Sequence, residues 1–100
     1  MVGNTNSVTQ TFVDILENGT RMYAAKVAST GDGSSASISF EVSRLKRIKG
    51  TPAVAIITDN QVTPAYIVNT SVATNTITIT LNAAIENTKI VTIGASVFGE

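Results

Sequence analysis

Residues 75 to 82 read Asn-Thr-Ile-Thr-Ile-Thr-Leu-Asn, the clearest fold signal in the chain. The apolar residues Ile77, Ile79 and Leu81 alternate there with threonines at 76, 78 and 80. Successive side chains of a β-strand point to opposite faces, so one face of this segment is apolar and the other carries hydroxyl groups. The stretch therefore predicts a half-buried antiparallel strand with an exposed ladder of threonines.

Two further segments, residues 36 to 43 (ASISFEVS) and 89 to 99 (KIVTIGASVFG), alternate in the same way. We expect Ala36 in the first and Ala95 and Val97 in the second to point inward with the larger apolar residues. Gly94 within the second segment indicates a bulge or a close backbone approach. The three alternating strands together predict a core built from Ile38, Phe40, Val42, Ile77, Ile79, Leu81, Val91 and Ile93.

The first half of the chain contains a hairpin signal. Residues 8 to 16 and 21 to 29 are two apolar-rich runs that flank Glu17 to Thr20, and Asn18-Gly19 in this position predicts a type I′ turn. The first run does not alternate cleanly, since Val13 and Ile15 point one way while Phe12 and Leu16 point the other. It is either covered on both faces or carries a β-bulge.

A continuous apolar run, Ala53 to Thr58 (AVAIIT), follows Thr51 and Pro52. Because such a run lacks a polar face, it predicts a central strand. Residues 59 to 61 read as a turn, and residues 65 to 69 (AYIVN) as the returning strand.

The composition agrees with an all-β fold. Valine, isoleucine and threonine supply 37 residues against three leucines, and β-branched residues favour pleated sheets. About seven strands at a spacing of about 8 to 12 residues predict one antiparallel β-sandwich or partly closed barrel. We assign residues 8 to 100 to this single domain and residues 1 to 7 (MVGNTNS) to a flexible N-terminal arm. No apolar run is long enough to span a membrane, and no signal peptide is visible.

The residue types present offer few side chains that could act in catalysis. The chain has no cysteine and no histidine, and seven acids balance seven bases. Asp32 lies in Gly-Asp-Gly and Asp59 precedes Asn60, and both are expected to bond turn amides, while Asp14 is expected to be solvated or bonded in a turn. We therefore expect no catalytic residue, no cofactor, no metal site and no enzymatic activity. The absence of cysteine fits a reducing compartment, and it also fits a particle that survives outside cells.

A basic stretch, Arg44 to Gly50 (RLKRIKG), stands out from the rest. It holds Arg44, Lys46, Arg47 and Lys49, four of the seven bases, so the molecule should be polarised. It is a solvated loop, a contact for an acidic protein surface, or a nucleic-acid contact; the last is least favoured, because no aromatic residue interleaves with the bases. The partner-contact candidates are these four cations and, if the arm orders on a neighbour instead of fraying, Met1, Val2 and Asn4.

The first half also carries a family pattern: T-x-V-D-I-L-x-N-G-x-R, an aromatic residue, a G-D-G-S turn and a strand ending V-S-x-L. Its residues here are Thr11, Val13, Asp14, Ile15, Leu16, Asn18, Gly19, Arg21, Tyr23, Gly31 to Ser35, Val42, Ser43 and Leu45. Over residues 8 to 45 the chain resembles the small β-rich virion structural proteins of tailed bacteriophages, including marine and cyanobacterial phages. The second half departs from that pattern, which carries tryptophan and more aspartate.

The resemblance implies a non-enzymatic protein of the virion, assembled in the host cytoplasm and present in many copies. Its expected role is that of a capsid cement (decoration) protein, or of a head-to-tail or tail component. Its expected partners are the major coat protein or other virion subunits, with copies of itself forming a homo-oligomer. Nucleic acid is the least favoured partner, and no membrane partner is expected. The alternative is a carbohydrate-binding or adhesin-like sandwich, weakened by the lack of tryptophan and the presence of only two tyrosines.

Overall fold

The alternating strand around Ile79 forms the centre of a three-stranded antiparallel sheet, which packs against a second sheet of four strands. The structure is a computed structural model that describes residues 4 to 100. The seven strands are β1 (Thr5–Ile15), β2 (Arg21–Thr30), β3 (Ser37–Glu41), β4 (Ala53–Asp59), β5 (Ile67–Ala73), β6 (Thr76–Leu81) and β7 (Ile90–Gly99). Their orders are β1-β2-β7-β4 and β3-β6-β5. The predicted all-β sandwich is confirmed, and the sheets do not close into a barrel.

The core lies between the two sheets, where the alternating strands predicted it. Ile77, Ile79 and Leu81 of β6 are at most 2% exposed, and Ile79 pairs with Ile38 of β3. All eight predicted core residues are buried. Three further buried residues, Leu45, Ile48 and Ile85, come from loops without periodicity.

The predicted hairpin between β1 and β2 is confirmed, but its turn is of another type. The N–H of Gly19 donates to the carbonyl of Leu16, and the N–H of Leu16 donates to the carbonyl of Thr20. Gly19 has a positive φ of 84°, whereas Asn18 does not. The loop is therefore a three-residue turn closed by a glycine bulge instead of the predicted two-residue type I′ turn, because only one position requires left-handed backbone.

The N-terminal boundary needs a correction. β1 begins at Thr5, so residues 5 to 7, predicted as part of the flexible arm, are strand residues that pair with β2. The physical reason is that strand pairing uses backbone groups, so residues with polar side chains can extend the hydrogen-bonded ladder between β1 and β2. Of the arm's candidates, Asn4 is described below, and Met1 and Val2 lie outside the described residues.

The irregular alternation of β1 comes from a bulge. The pairing register shifts between Phe12 and Asp14, which leaves Val13 as the extra residue. Of the two explanations left open by the sequence, the bulge is the one found, and β1 is an edge strand with mostly exposed side chains.

The apolar run Ala53 to Thr58 is not central, as predicted, but forms the opposite edge of the same sheet. Ile56 faces the core and is partly buried, whereas Ile57 is 56% exposed. A shift in the pairing with β7 between Ile56 and Thr58 allows the two successive isoleucines. The run is apolar throughout because its outer side chains line a surface groove. The returning strand β5 also differs from prediction, since it spans Ile67–Ala73.

Candidate functional site

The outer face of the four-stranded sheet carries a shallow groove with a volume of about 580 Å³. The strand pairing places Thr11, Ala24, Ser96 and Ala53 in one row across the sheet and Thr9, Lys26, Gly94 and Ala55 in the next. The groove exists because small residues stand where larger side chains would fill it. Lys26 is the one charged residue among those that line it.

Gly94 lies on the floor of this groove beneath the side chain of Ile57. A Cβ built on Gly94 would lie 2.9 Å from Ile57 Cδ1, so a larger residue would displace that side chain. The close approach expected at Gly94 is therefore present, although a side chain makes it, and the shift in pairing lies in β4 and not in β7. Ile57 forms one wall of the groove as a result.

Along one side of the sandwich, amide side chains of β1 and of the residue before it bond β3 and the residues that flank it. Asn4 Nδ2 donates to the carbonyls of Ser35 and Ser37, both at 3.1 Å, and Asn6 Nδ2 donates to the carbonyl of Ser39 at 3.1 Å. Asn6 Oδ1 also accepts a 2.6 Å bond from the hydroxyl of the buried Ser29.

Gln10 continues this row, which we name the amide seam (Asn4, Asn6 and Gln10). Its Nε2 donates to Ser43 Oγ at 3.0 Å, and its Oε1 accepts from the N–H of Arg44 at 3.2 Å. The seam bonds backbone groups at an edge that would otherwise be available to another chain. No sequence pattern predicted the seam; the available signal was three amides two and four residues apart, at positions 4, 6 and 10, which a strand places on one face.

The basic stretch is held firmly at one end of the sandwich. Leu45 and Ile48, which alternate with its cations, are 1% and 6% exposed. The backbone N–H of Lys46 donates to the carbonyl of Glu100, and that of Lys49 donates to the carbonyl of Phe98. The stretch is thus an anchored loop whose exposed charged side chains project outward.

Its four cations fall into two pairs. Arg47 and Lys49 approach the carboxylate of Glu100, at 3.1 Å and 3.6 Å. Arg44 and Lys46 have no carboxylate within 4.0 Å among residues 4 to 100, and they line a second cleft of about 420 Å³ with Gly19, Arg21 and Glu100. Arg47 and Lys49 share this one carboxylate, and Asp14 and Glu17 lie at the same end, around the turn between β1 and β2. Acidic side chains thus lie near the cations, and the predicted polarity of the molecule stays a prediction.

The opposite end carries Asp32, Asp59 and Glu86, which bind backbone amides. Asp32 Oδ1 accepts from the N–H groups of Ser34 and Ser35, and these bonds lower the pKa of the carboxyl group. At Asp59, burial raises the pKa, but bonds from the N–H groups of Ala65 and Gln61 outweigh it and lower the pKa overall. The predicted turn roles of both aspartates are confirmed. Glu86 was not singled out from the sequence, and it accepts from the N–H groups of Val62 and Thr63.

Residues 4 to 100 contain no group of three acidic, histidine or cysteine side chains that could hold a metal ion. The same residues contain no helix long and apolar enough to cross a membrane. The structure does not bring the predicted candidates into one site: the basic stretch lies at one end of the molecule, and Asn4 lies in the amide seam, bonded to the start of β3.

Comparison with known protein families, with curated proteins and with solved structures found no match to this chain.

Proposed function

We propose that this chain is a virion structural protein that acts as a capsid cement, attaching in many copies to the coat protein. The observation that carries the proposal is the uncovered outer face of the four-stranded sheet, with its groove of alanine, glycine, serine and threonine. Shallow grooves with short side chains fit another protein's backbone or apolar residues closely. A protein that works by contact needs such a surface and no catalytic cluster.

The size of this face supports the same proposal. Three strands of 10 or 11 residues and one of 7, about 4.8 Å apart, cover roughly 19 by 33 Å, and less than that along β4. That is comparable with the ~800 Å² of accessible surface that each partner buries in a stable protein interface. Cement proteins bind repeated sites on a particle, so moderate contacts at each copy add up.

The basic stretch supplies a second contact in this proposal. Arg44 and Lys46 lack an acidic partner among the described residues, so an acidic coat surface could pair with them. Charges at the edge of an interface chiefly affect the orientation of the partners and the association rate, and salt weakens their attraction. The groove gives no support to the carbohydrate-binding alternative, because its lining residues include no aromatic ring on which a sugar could stack.

The first test asks whether the chain belongs to a particle. Particles produced from the genome that encodes the chain are purified and their proteins quantified by mass spectrometry. We expect many copies of this chain for each particle. Finding the chain only in the soluble fraction would refute the proposal.

The second test locates the contact by co-sedimentation with particles stripped of this chain. Ala24→Glu places a charge in the middle of the groove and should abolish binding, while Ala73→Glu, on an exposed position of the other sheet, should not change it. Arg44→Gln combined with Lys46→Gln should weaken binding at low salt only. Equal binding of the two glutamate variants would exclude the groove as the attachment surface, and glycan binding by the unmodified protein would favour the alternative function.

A further inference from the structure

The loop between β4 and β5 is held by side chains and not by a backbone ladder. Its residues 61 to 65 (QVTPA), which we name the strap, cross from the four-stranded sheet to the three-stranded sheet at the end of the sandwich that carries Asp59 and Glu86. Proline has no N–H, so the strap has four backbone donors. All four donate to the carboxylate oxygens of these two acidic residues.

Each of the four oxygens of the two carboxylates accepts one of these bonds. Asp59 Oδ1 and Oδ2 accept from the first and last residues of the strap, at 3.0 Å and 2.7 Å. Glu86 Oε1 and Oε2 accept from Val62 and Thr63, at 2.9 Å and 3.2 Å. An ionised carboxylate only accepts hydrogen bonds, whereas a protonated one carries an O–H donor on one oxygen. A proton on any of the four oxygens would therefore face an N–H of the strap and break the bond there.

The residues on either side of the strap are held by groups that do not titrate. Asn60 exchanges two bonds with the backbone of Ile90, and Tyr66 and Asn82 bond each other in the same reciprocal way. These contacts would keep both ends of the strap in place at any pH. One further bond, from the N–H of Glu86 to the side-chain oxygen of residue 61 at 2.7 Å, ends on a flexible side chain and does not fix the strap backbone.

From these contacts we propose that the strap is an acid-released element: protonation of Asp59 and Glu86 frees it from the loop between β6 and β7 while the two sheets stay folded. The sheets are joined by apolar contacts, which do not depend on the charge of these carboxylates. Release would open the cleft of about 240 Å³ between the strap and the β6–β7 loop, and Ala65 would lose its packing against the core. The proposal does not rest on attachment to a particle.

The other ionisable side chains at this end do not replace the two carboxylates. Asp32 bonds amides of its own turn. Tyrosine and lysine side chains keep their protons in acid, so Tyr66 and Lys89 do not contribute. Among residues 4 to 100, the ion pairs involve Glu100 at the opposite end, so no cation pairs with the strap carboxylates. Burial raises the pKa of Asp59 and bonds from the strap lower it overall, so the strap is closed at neutral pH and released as the pH falls below the ordinary 3.8.

The first test follows the backbone amides of the unmodified protein by ¹H–¹⁵N NMR from about pH 7 to about pH 3. We expect the four strap amides to shift together below about pH 4, with a fall in their heteronuclear NOE that marks loss of fixed structure. The amides of β6 and β7 should keep their folded positions over that step. Strap amides that stay ordered to pH 3 would overturn the proposal, and so would loss of all folded resonances at the same pH as the strap.

The second test releases the strap at neutral pH. Glu86→Gln imitates the protonated side chain, because the amide keeps one acceptor and turns an NH₂ donor toward the other strap N–H. We expect thermolysin to cleave before Val62 about tenfold faster or more in this variant than in the unmodified protein, as followed by mass spectrometry. Glu41→Gln is the matched control, with the same charge change at an exposed carboxylate on β3, and its cleavage rate should not change.

Equal cleavage rates in the two glutamine variants would contradict the role of Glu86 in holding the strap. If Glu86→Gln does not fold, the pH titration of the unmodified protein decides by itself. Because none of these measurements involves a particle, failure of the strap and failure of the cement function are distinguished.

Discussion

The two long sides of the sandwich are built differently. On the β1/β3 side, the amide seam bonds the backbone around β3, so the edges of the two sheets are joined. On the β4/β5 side, Ile57, Tyr66 and Val68 are more than half exposed. The contrast shows that a small all-β protein can protect one pair of edges within its own chain and leave the side chains at the other pair exposed.

The largest expected effect is a loss of stability at a core position between the two sheets. It is compared with the same change at an exposed position on the β4/β5 side, which we call the open side. Ile79→Ala should lower the free energy of unfolding by about 2 to 5 kcal/mol, because it leaves a cavity between the sheets. Ile57→Ala, the same change at a position 56% exposed, should cost less than about 1 kcal/mol. Denaturant unfolding measures both, and similar losses would contradict the assignment of the open side as solvent-facing.

Breaking the amide seam should have the next largest effect. Asn6→Ala removes a bond to Ser39 and leaves the hydroxyl of the fully buried Ser29 without its acceptor, so we expect a loss of about 1 to 3 kcal/mol. Asn69→Ala on exposed β5 is the matched control and should change stability by no more than about 0.5 kcal/mol. If denaturant melts of the two variants coincide, the seam does not stabilise its side of the sandwich.

The turn that joins β1 to β2 provides a smaller test on the seam side. Gly19→Val forces a β-branched residue into a positive φ and should cost about 1 to 2 kcal/mol. Thr20→Val keeps the side-chain shape and loses only a long 3.4 Å bond from Lys49 Nζ, so its cost should be below about 1 kcal/mol. Thermal melts that rank the two variants in the reverse order would mean that the glycine bulge is absent.

The smallest expected effect is a pH dependence from the two turn aspartates. Their folded-state pKa values lie below the ordinary 3.8, so their contribution to stability is complete above that pH and is lost as the pH falls through the folded-state pKa. The free energy of unfolding should therefore be level near neutral pH and decline below about pH 4. Asp59→Asn should reduce the size of that decline, as measured by urea unfolding across pH; an unchanged profile would show that Asp59 does not contribute.

The candidate surfaces could be read from the sequence only in part. The basic stretch is visible as a charge cluster, and its four cations lie on an anchored loop. The groove was not visible, because alanines at 24, 53 and 55 and Gly94 meet only when β2, β4 and β7 lie side by side. The amide seam was not predicted for the same reason: Asn4, Asn6 and Gln10 bond backbone groups that lie 28 to 34 positions away.

The fold class, most of the strands and the inward face of β3, β6 and β7 could be predicted from the order of the amino acids alone. Alternation is a local property: the pleat repeats every two residues, so Ile77 and Ile79 must share a face wherever their strand lies. The packing of the folded chain was needed to show that Ala53 to Thr58 is an edge strand and not a central one, that residues 5 to 7 belong to a strand, and that Leu45, Ile48 and Ile85 complete the core. Strand order and loop packing depend on contacts between residues far apart in the chain, and no local pattern records which strand will be a neighbour.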